Sequence, residues 1–245
     1  SLKSLQRLIQ DHSQSVHMES AFYWQGENHF ALKDYEAAAA TYGELYQRWP
    51  KSTYIPHALS GQGWCSFRLQ RYAQGINAFS ELIEKYASHS VTVEASYGRA
   101  LCHYKQQEHE QAVNDLEIYL KSEPPMERRA NALYLQGLSL IEMKQYQEAI
   151  QSLTTLLEQV PDYSSVDRTI YQLAWTYKML DLRPESIQWF TRLTEQYKSS
   201  SHLAEAHYHL AENDYWHEEN YAAAQTHYQR CLELTSDAEL TETTM

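Results

Sequence analysis

Small and large apolar positions alternate with polar ones along this chain in a pattern that returns to itself. Steps of 37 residues from Gly26 land on Gly63, Ala100, Gly137, Ala174 and Ala211, so every landing is glycine or alanine. Three residues before these anchors stand Tyr23, Ser60, Tyr97, Tyr134, Tyr171 and Tyr208. Twelve residues after them stand Ala38, Gly75, Ala112, Ala149, Ser186 and Ala223, all small. Sixteen after the first five stand Tyr42, Phe79, Leu116, Leu153 and Phe190, all large. In the last copy the strict position is His227 and the aromatic is the next residue, Tyr228, which predicts one extra residue around His217-Glu218-Glu219-Asn220. Small residues within a helix, with a large apolar residue four positions after the second of them, describe helices that pack closely on copies of themselves.

Each copy splits into two helical stretches, in the first copy roughly residues 19–32 and 34–48. Pro50, Pro56, Pro124, Pro125 and Pro161, with Ser88, Ser90 and the serines at 199–201, mark the links between copies. Proline stops a helix because it lacks the amide donor and restricts its predecessor. Pro184 instead opens a second helix, where a missing donor matters least. Residues 19–55, 56–92, 93–129, 130–166, 167–203 and 204–234 are thus predicted as six units. Residues 1–18 read as a truncated repeat or capping helix, because Leu8-Ile9 falls on Leu82-Ile83 two periods on. Residues 235–245 read as an acidic tail that frays, and the opening on Ser1 reads as an excised or processed segment.

The motifs Tyr23-Trp24-Gln25-Gly26, Asp34-Tyr35, Ala38, Tyr42 and Pro50, repeated as Tyr134-Leu135-Gln136-Gly137, Gln145-Tyr146, Ala149, Leu153 and Pro161, resemble the tetratricopeptide repeat family. The resemblance covers nearly the whole chain. It implies an all-α fold, an α-α superhelix or right-handed solenoid of six helix–turn–helix units plus an amino-terminal half repeat. The long links, as in Trp49-Pro50-Lys51-Ser52-Thr53-Tyr54-Ile55-Pro56, are similar to those of family members in the bacterial envelope. That similarity points to a periplasm or cell envelope rather than a cytoplasm.

Composition adds limits. A hydrophobic content of 43% supplies a continuous core, and seven glycines with six prolines suit a nearly all-helical chain. The net charge of −12 disfavours a nucleic-acid partner, which needs a basic surface, and makes a basic or neutral protein the easier fit. No stretch is apolar enough to insert in a membrane. Cys65 and Cys102 occupy equivalent sites on successive first helices. Packed helix axes lie ~8–10 Å apart, beyond the ~7 Å Cα limit of a disulfide, so free thiols are expected.

The candidate binding surface is the face carrying positions −3, +1 and +4 from each anchor, which share one side of a helix. It carries Tyr23, Glu27 and Phe30; Ser60, Trp64 and Phe67; Tyr97, Leu101 and Tyr104; Tyr134, Leu138 and Ile141; Tyr171, Trp175 and Lys178; Tyr208, Glu212 and Tyr215. In the family the first helices line a concave groove for peptides, which makes Tyr23, Trp64, Tyr97, Tyr134, Tyr171, Trp175 and Tyr208 the expected partner-binding residues. Rigid rings with a polar edge suit that task, though packing between units would recur in the same way. Glu27 and Glu212 at the site of Trp64 and Trp175 imply that this position is partly wet. The −3 and +1 sites hold no Lys, Arg or Asn, so a clamp on the carboxylate of an acidic chain end is not expected.

Catalytic and metal chemistry finds little support. His207, His209, Glu212, Asp214 and His217 are close in sequence but do not share a helical face at ligand spacing, so no metal or other cofactor is expected. His109-Glu110 and His217-Glu218 begin like a zinc-protease helix, but Val113 and Tyr221 replace the second histidine. Gly61-Gln62-Gly63 is too short for a phosphate loop. The expected function is a non-catalytic protein-interaction scaffold. A self-assembly module, or the interaction arm of a longer enzyme or sensor, are the alternatives. The acidic residues Glu205, Glu212, Asp214, Glu218 and Glu219 offer a basic partner a docking patch or form a solvated face.

Overall fold

The structure, a computed structural model, describes residues 17–242. Twelve helices run through them: α1 (Met18–Ala31), α2 (Tyr35–Arg48), α3 (Ile55–Arg68), α4 (Tyr72–Lys85), α5 (Thr92–Lys105), α6 (His109–Lys121), α7 (Met126–Glu142), α8 (Tyr146–Gln159), α9 (Val166–Met179), α10 (Arg183–Gln196), α11 (Leu203–Trp216) and α12 (Tyr221–Glu242). No strand occurs among the described residues, and the fold is an all-α helical repeat. The truncated repeat or capping helix expected at residues 1–18 lies, save for its last two residues, outside the described residues. Residues 235–242, expected to fray, continue α12 in backbone.

The chain forms two compact units that part between Pro124 and Pro125, inside the proline-rich link. In the first unit each of α1 to α6 packs on the next, and the first helices α1, α3 and α5 also touch in sequence. In the second unit α7 to α12 pack in the same order.

The turns inside the hairpins follow one chemistry. Lys33, Gln70, Gln107, Lys144 and Asp181 adopt φ between 58° and 63°, the left-handed conformation that ends a helix. The residue after each turns its N–H back five positions, as from Asp34 to the His29 carbonyl at 2.9 Å and from Arg71 to that of Ser66 at 2.8 Å. Orphan carbonyls at the helix end are satisfied this way. Holding non-glycine residues there costs roughly 1 kcal/mol each. The last hairpin departs from the rule: Glu219 takes the positive φ, and Asn220 donates to the Asp214 carbonyl at 2.8 Å. The extra residue moves the buried small side chain from the expected Ala223 to Ala224, which is 1% exposed.

The core of the first unit is built on two rings, each lying between two glycines. A Cβ added at Gly26 or at Gly61 would come within 2.5 Å of the Tyr42 ring. One added at Gly63 or Gly98 would come within 2.5 Å of the Phe79 ring. These glycines let the backbones of successive first helices close on one side chain from the second helix. Both rings are fully buried, a burial that stabilises by ~2–3 kcal/mol per ring. Beside them, Arg99 donates through Nε and Nη2 to Asp115 at 2.8 and 2.6 Å and through Nη1 to Ser80 Oγ at 3.0 Å, tying α4, α5 and α6 together. Cys65 and Cys102 are free and buried, and burial pushes both thiols up to about 12.

In the second unit Ile170, Ala174, Phe190, Leu193, Ala206 and Leu210 form the core of α9 to α11. Helix α12 is held on α11 partly through histidines: His207 Nδ1 and His227 Nδ1 lie 2.9 Å apart, and His227 Nε2 is 3.8 Å from Asp214. Burial, then the neighbouring His227, Arg230 and Lys198, push the His207 imidazole down to about 4.

Two predictions concern stability. Gly63→Ala and Gly98→Ala should each destabilise by ~1–3 kcal/mol in urea unfolding despite the better helix propensity of alanine, because the Phe79 ring cannot yield. Gly43→Ala, whose Cβ would meet only the flexible Gln62 amide at 3.1 Å, should instead be neutral or stabilise by up to ~1 kcal/mol. For His207 the folded pKa of about 4 lies below the ordinary value near 6.5, so the unfolded chain binds the proton first. Its contribution is fully present above pH ~6.5 and is lost as pH falls through the window toward ~4. Melting temperature should decline across that window, and His207→Gln should flatten the decline.

Candidate functional site

The anchor at the centre of every first helix is buried, and the expected binding face lies to one side of it. Six of the seven expected partner-binding residues are half-buried and Tyr208 is exposed at 44%. In the first unit Tyr23 on α1 stacks on Tyr54 of the following link at 4.9 Å, and Trp64 on α3 meets Phe79 edge-on at 5.5 Å. Both line one cavity of about 230 Å³, together with Glu27, Phe30, His57 and Ser60. Tyr97 on α5 is outside that cavity and stacks on Tyr119 of α6 at 4.9 Å.

In the second unit Tyr134 on α7 lies 6.3 Å from Tyr163 in the next link. Tyr171 on α9 stacks on His202 of its following link at 4.2 Å. Burial, and a hydrogen bond to Glu205, raise the Tyr171 hydroxyl above the usual phenol range. Tyr23 and Tyr171 therefore use one ring face to hold the adjoining link, and Tyr134 meets its link at a tilt, a packing duty the spacing alone did not separate from binding. Tyr208 on α11 has Tyr228 at 6.1 Å and His209 at 5.5 Å.

The +1 position follows a polarity rule that sequence reasoning missed. Where it is Glu, the large residue of the second helix is Tyr: Tyr42 donates to Glu27 at 2.5 Å and Tyr228 donates to Glu212 at 2.5 Å. Where it is Trp, the large residue is Phe, as in Trp64 with Phe79. The acceptor Glu212, ahead of burial, pushes the Tyr228 hydroxyl up to about 12. These carboxylates are accounted for by their own second helix, so the face is wet at those sites without carrying unpaired buried charge.

Around Trp175 the second unit differs. Lys178 Nζ lies 5.2 Å above the Trp175 ring and 2.9 Å from His209 Nδ1. An ammonium has no lone pair, so it donates and the imidazole accepts. Burial, and then the Lys178 charge, push His209 down to about 4, which leaves it neutral at pH 7. Burial also lowers the Lys178 ammonium below the usual lysine range, with Glu212 opposing. A cavity of about 530 Å³ opens here, lined among others by Lys178, Arg183, Phe190, Asn213 and Trp216. Arg183, Asn213 and Trp216 were not singled out from the sequence. The available signal was the pair Lys178 and Arg183, at places where most other copies carry rings.

Among the described residues no group of three or more His, Cys, Asp or Glu side chains is arranged to hold a metal ion, and no helix is long and apolar enough to cross a membrane. Of the histidines near residue 210, His207 faces His227 and His209 faces Lys178.

Comparison with known proteins gives a consistent picture. The family model for the tetratricopeptide repeat matches residues 20–52 and 57–89. The model for anaphase-promoting complex, cyclosome, subunit 3 matches residues 80–156. No curated protein matches the chain in sequence. Among solved structures, a tetratricopeptide repeat protein from Parabacteroides merdae is 17% identical with a TM-score of 0.66, over 92% of this chain and 87% of that one. The apo form of RapI is 14% identical with a TM-score of 0.69, over 97% and 80%. MamA from Desulfovibrio magneticus RS-1 is 18% identical with a TM-score of 0.63, over 75% and 97%. With two stretches matched by the repeat's own model, and helix hairpins that stack through buried small anchors, the chain carries tetratricopeptide repeats within an all-α helical repeat fold.

Proposed function

We propose that the chain is a non-catalytic scaffold that holds a peptide or helix of a partner protein on the first-helix faces of its two units. The observation that carries this reading is the partial exposure of rings on helices whose central anchors are buried. Tyr23 and Trp64 border an open cavity in the first unit, and in the second Trp175 stands beside Lys178, which lines a larger one. Rigid aromatic side chains with one free face supply contact area at little entropic cost, which is why they dominate binding hot spots. In this reading residues 19–234 are six interaction units, and Tyr97, Tyr134, Tyr171 and Tyr208 extend the same surface within their own units. The wet carboxylates Glu27 and Glu212 set polar points between the rings.

One observation favours self-association as a second reading. Tyr215, Trp216 and Tyr221 cluster at the tip of the last hairpin at 41%, 64% and 58% exposure, a patch that a second copy could cover.

The test uses the purified chain as bait and identifies captured protein by mass spectrometry. Trp175→Ala and Tyr208→Ala together should reduce capture of a specific partner by about tenfold or more, the loss of a binding hot spot, with helical content by circular dichroism unchanged. Full capture by this variant and by Tyr23→Ala/Trp64→Ala would refute the reading. Light scattering over a range of concentrations separates the alternative, since self-association requires a mass that rises with concentration.

A further inference from the structure

Most hairpin tips of this chain are closed by a pair of rings. Phe30 meets Tyr35 at 5.4 Å, Phe67 meets Tyr72 at 5.9 Å, Tyr104 meets His109 at 5.6 Å and Tyr215 meets Tyr221 at 5.2 Å. Between α9 and α10 the corresponding places hold Lys178 and Arg183. There the second unit seats a cation of its own. Lys178 Nζ stands 5.2 Å from the centre of the Trp175 ring, and Glu212, at the +1 position of the next copy, acts on its charge. A tryptophan face and a carboxylate on successive first helices thus serve one ammonium.

The first unit has the same pair without the cation. Glu27 on α1 and Trp64 on α3 hold the +1 positions of successive first helices, and the +4 places beside them hold Phe30 and Phe67. Both line the cavity of about 230 Å³, and among the described residues Glu27 is the only charged side chain in its wall. Glu27 accepts the Tyr42 hydroxyl at 2.5 Å, and after burial its charge raises the Tyr23 hydroxyl above the usual phenol range. These neighbours are neutral phenols. The carboxylate is therefore oriented by hydrogen bonding, yet no lysine or arginine pairs with it among the described residues. His57 lines the cavity too. Burial, then His89, lower its imidazole below the usual histidine range with Glu27 opposing, so it is neutral at pH 7 and does not repel a cation.

The opening has a cause in the repeat. Five copies carry Tyr at the −3 position, and the copy that lacks it has Ser60, which lines this cavity. A hydroxymethyl group in place of a ring leaves room beside Trp64, with Tyr23 and Phe30 as further aromatic walls. At about 230 Å³ the space is below the ~300 Å³ at which small-molecule pockets begin, and it suits the end of one side chain.

We propose that this cavity receives a lysine side chain of the partner, its ammonium on the Glu27 carboxylate and the face of Trp64, its methylene stem against Tyr23 and Phe30. The proposal rests on the scaffold reading and names the chemistry of one contact in it. Lysine fits better than arginine, because a guanidinium fork needs both carboxylate oxygens and one already accepts from Tyr42. The net charge of −12 draws a basic segment toward the chain, and the contact in a half-enclosed cavity is screened less by salt than that long-range attraction.

The probes are blocked tripeptides, acetyl-Ala-Lys-Ala-amide and its counterparts with norleucine, arginine or glutamate at the centre. Each is titrated into the full chain while the indole N–H signal of Trp64 is followed by NMR. The lysine peptide should shift this signal and bind about tenfold more tightly than the norleucine peptide, which has the stem without the charge. Glu27→Gln keeps an acceptor for Tyr42 but removes the charge, and should erase most of that ratio while leaving the norleucine peptide unchanged. Ser60→Tyr, which restores the residue of the other copies, should close the cavity and abolish the Trp64 response with helical content intact. Equal binding of the lysine and norleucine peptides, tightest binding of the arginine or glutamate peptide, or an undiminished lysine preference in Glu27→Gln overturns the proposal. Any of these results together with loss of partner capture in the aromatic variants would sink this site alone. Selective lysine binding with full capture in the aromatic variants would defeat the broader reading and leave this cavity standing.

Discussion

The architecture depends on how closely two helix backbones can approach one side chain. Tyr42 lies between Gly26 and Gly61, and Phe79 between Gly63 and Gly98. In each case one ring from a second helix fills the space that two missing side chains leave on successive first helices. A single residue thus joins its own hairpin to the next, and the join has almost no tolerance for added volume, since packed interiors are as dense as organic crystals. Gly137, whose Cβ would meet Leu153 at 2.6 Å, repeats the first half of this contact in the second unit.

The same contact fixes the polarity of the exposed face. The large residue reaches past the anchor to the +1 position, so the two must match. Tyr with Glu makes a hydrogen bond, and Phe with Trp makes an edge-on ring contact. A Glu over Phe would leave a half-buried carboxylate without a donor, and a Trp over Tyr would leave a hydroxyl without an acceptor. The outer face is therefore not free to vary residue by residue. Each change of chemistry toward solvent carries a change in the core behind it.

The fold was legible because its signal is repeated. Small anchors, large residues at a constant distance, and prolines in the links each recur, and the helices begin and end within a few residues of where these marks place them. The extra residue near His217 was legible too, although its effect starts one step earlier than supposed, at Ala224 rather than Ala223. What the pattern could not show is which face of a recurring ring is occupied. Tyr23, Tyr134 and Tyr171 look alike in sequence whether they face a ligand or a link, and their contacts with Tyr54, Tyr163 and His202 depend on how the links fold back. Non-glycine residues at positive φ in the turns were equally silent, because Lys33, Gln70 and Asp181 share no side-chain property that announces the conformation.

In a stack where each hairpin touches mainly its neighbours, a departure from the repeat rule cannot be absorbed at a distance. The ring pair at a tip closes its own hairpin, so replacing it with Lys178 and Arg183 must either reopen that tip or recruit something to fill it. The neighbouring groups show which. Lys178 is steadied by Trp175 and a neutral His209, with Glu212 also acting on its charge, and Asn213 on the next helix lines the same space. Three elements contribute to one opening. The departure thus stays local to the second unit, at the tip of α9 and α10, where exposed cations and a half-buried tryptophan stand in place of a closing ring pair.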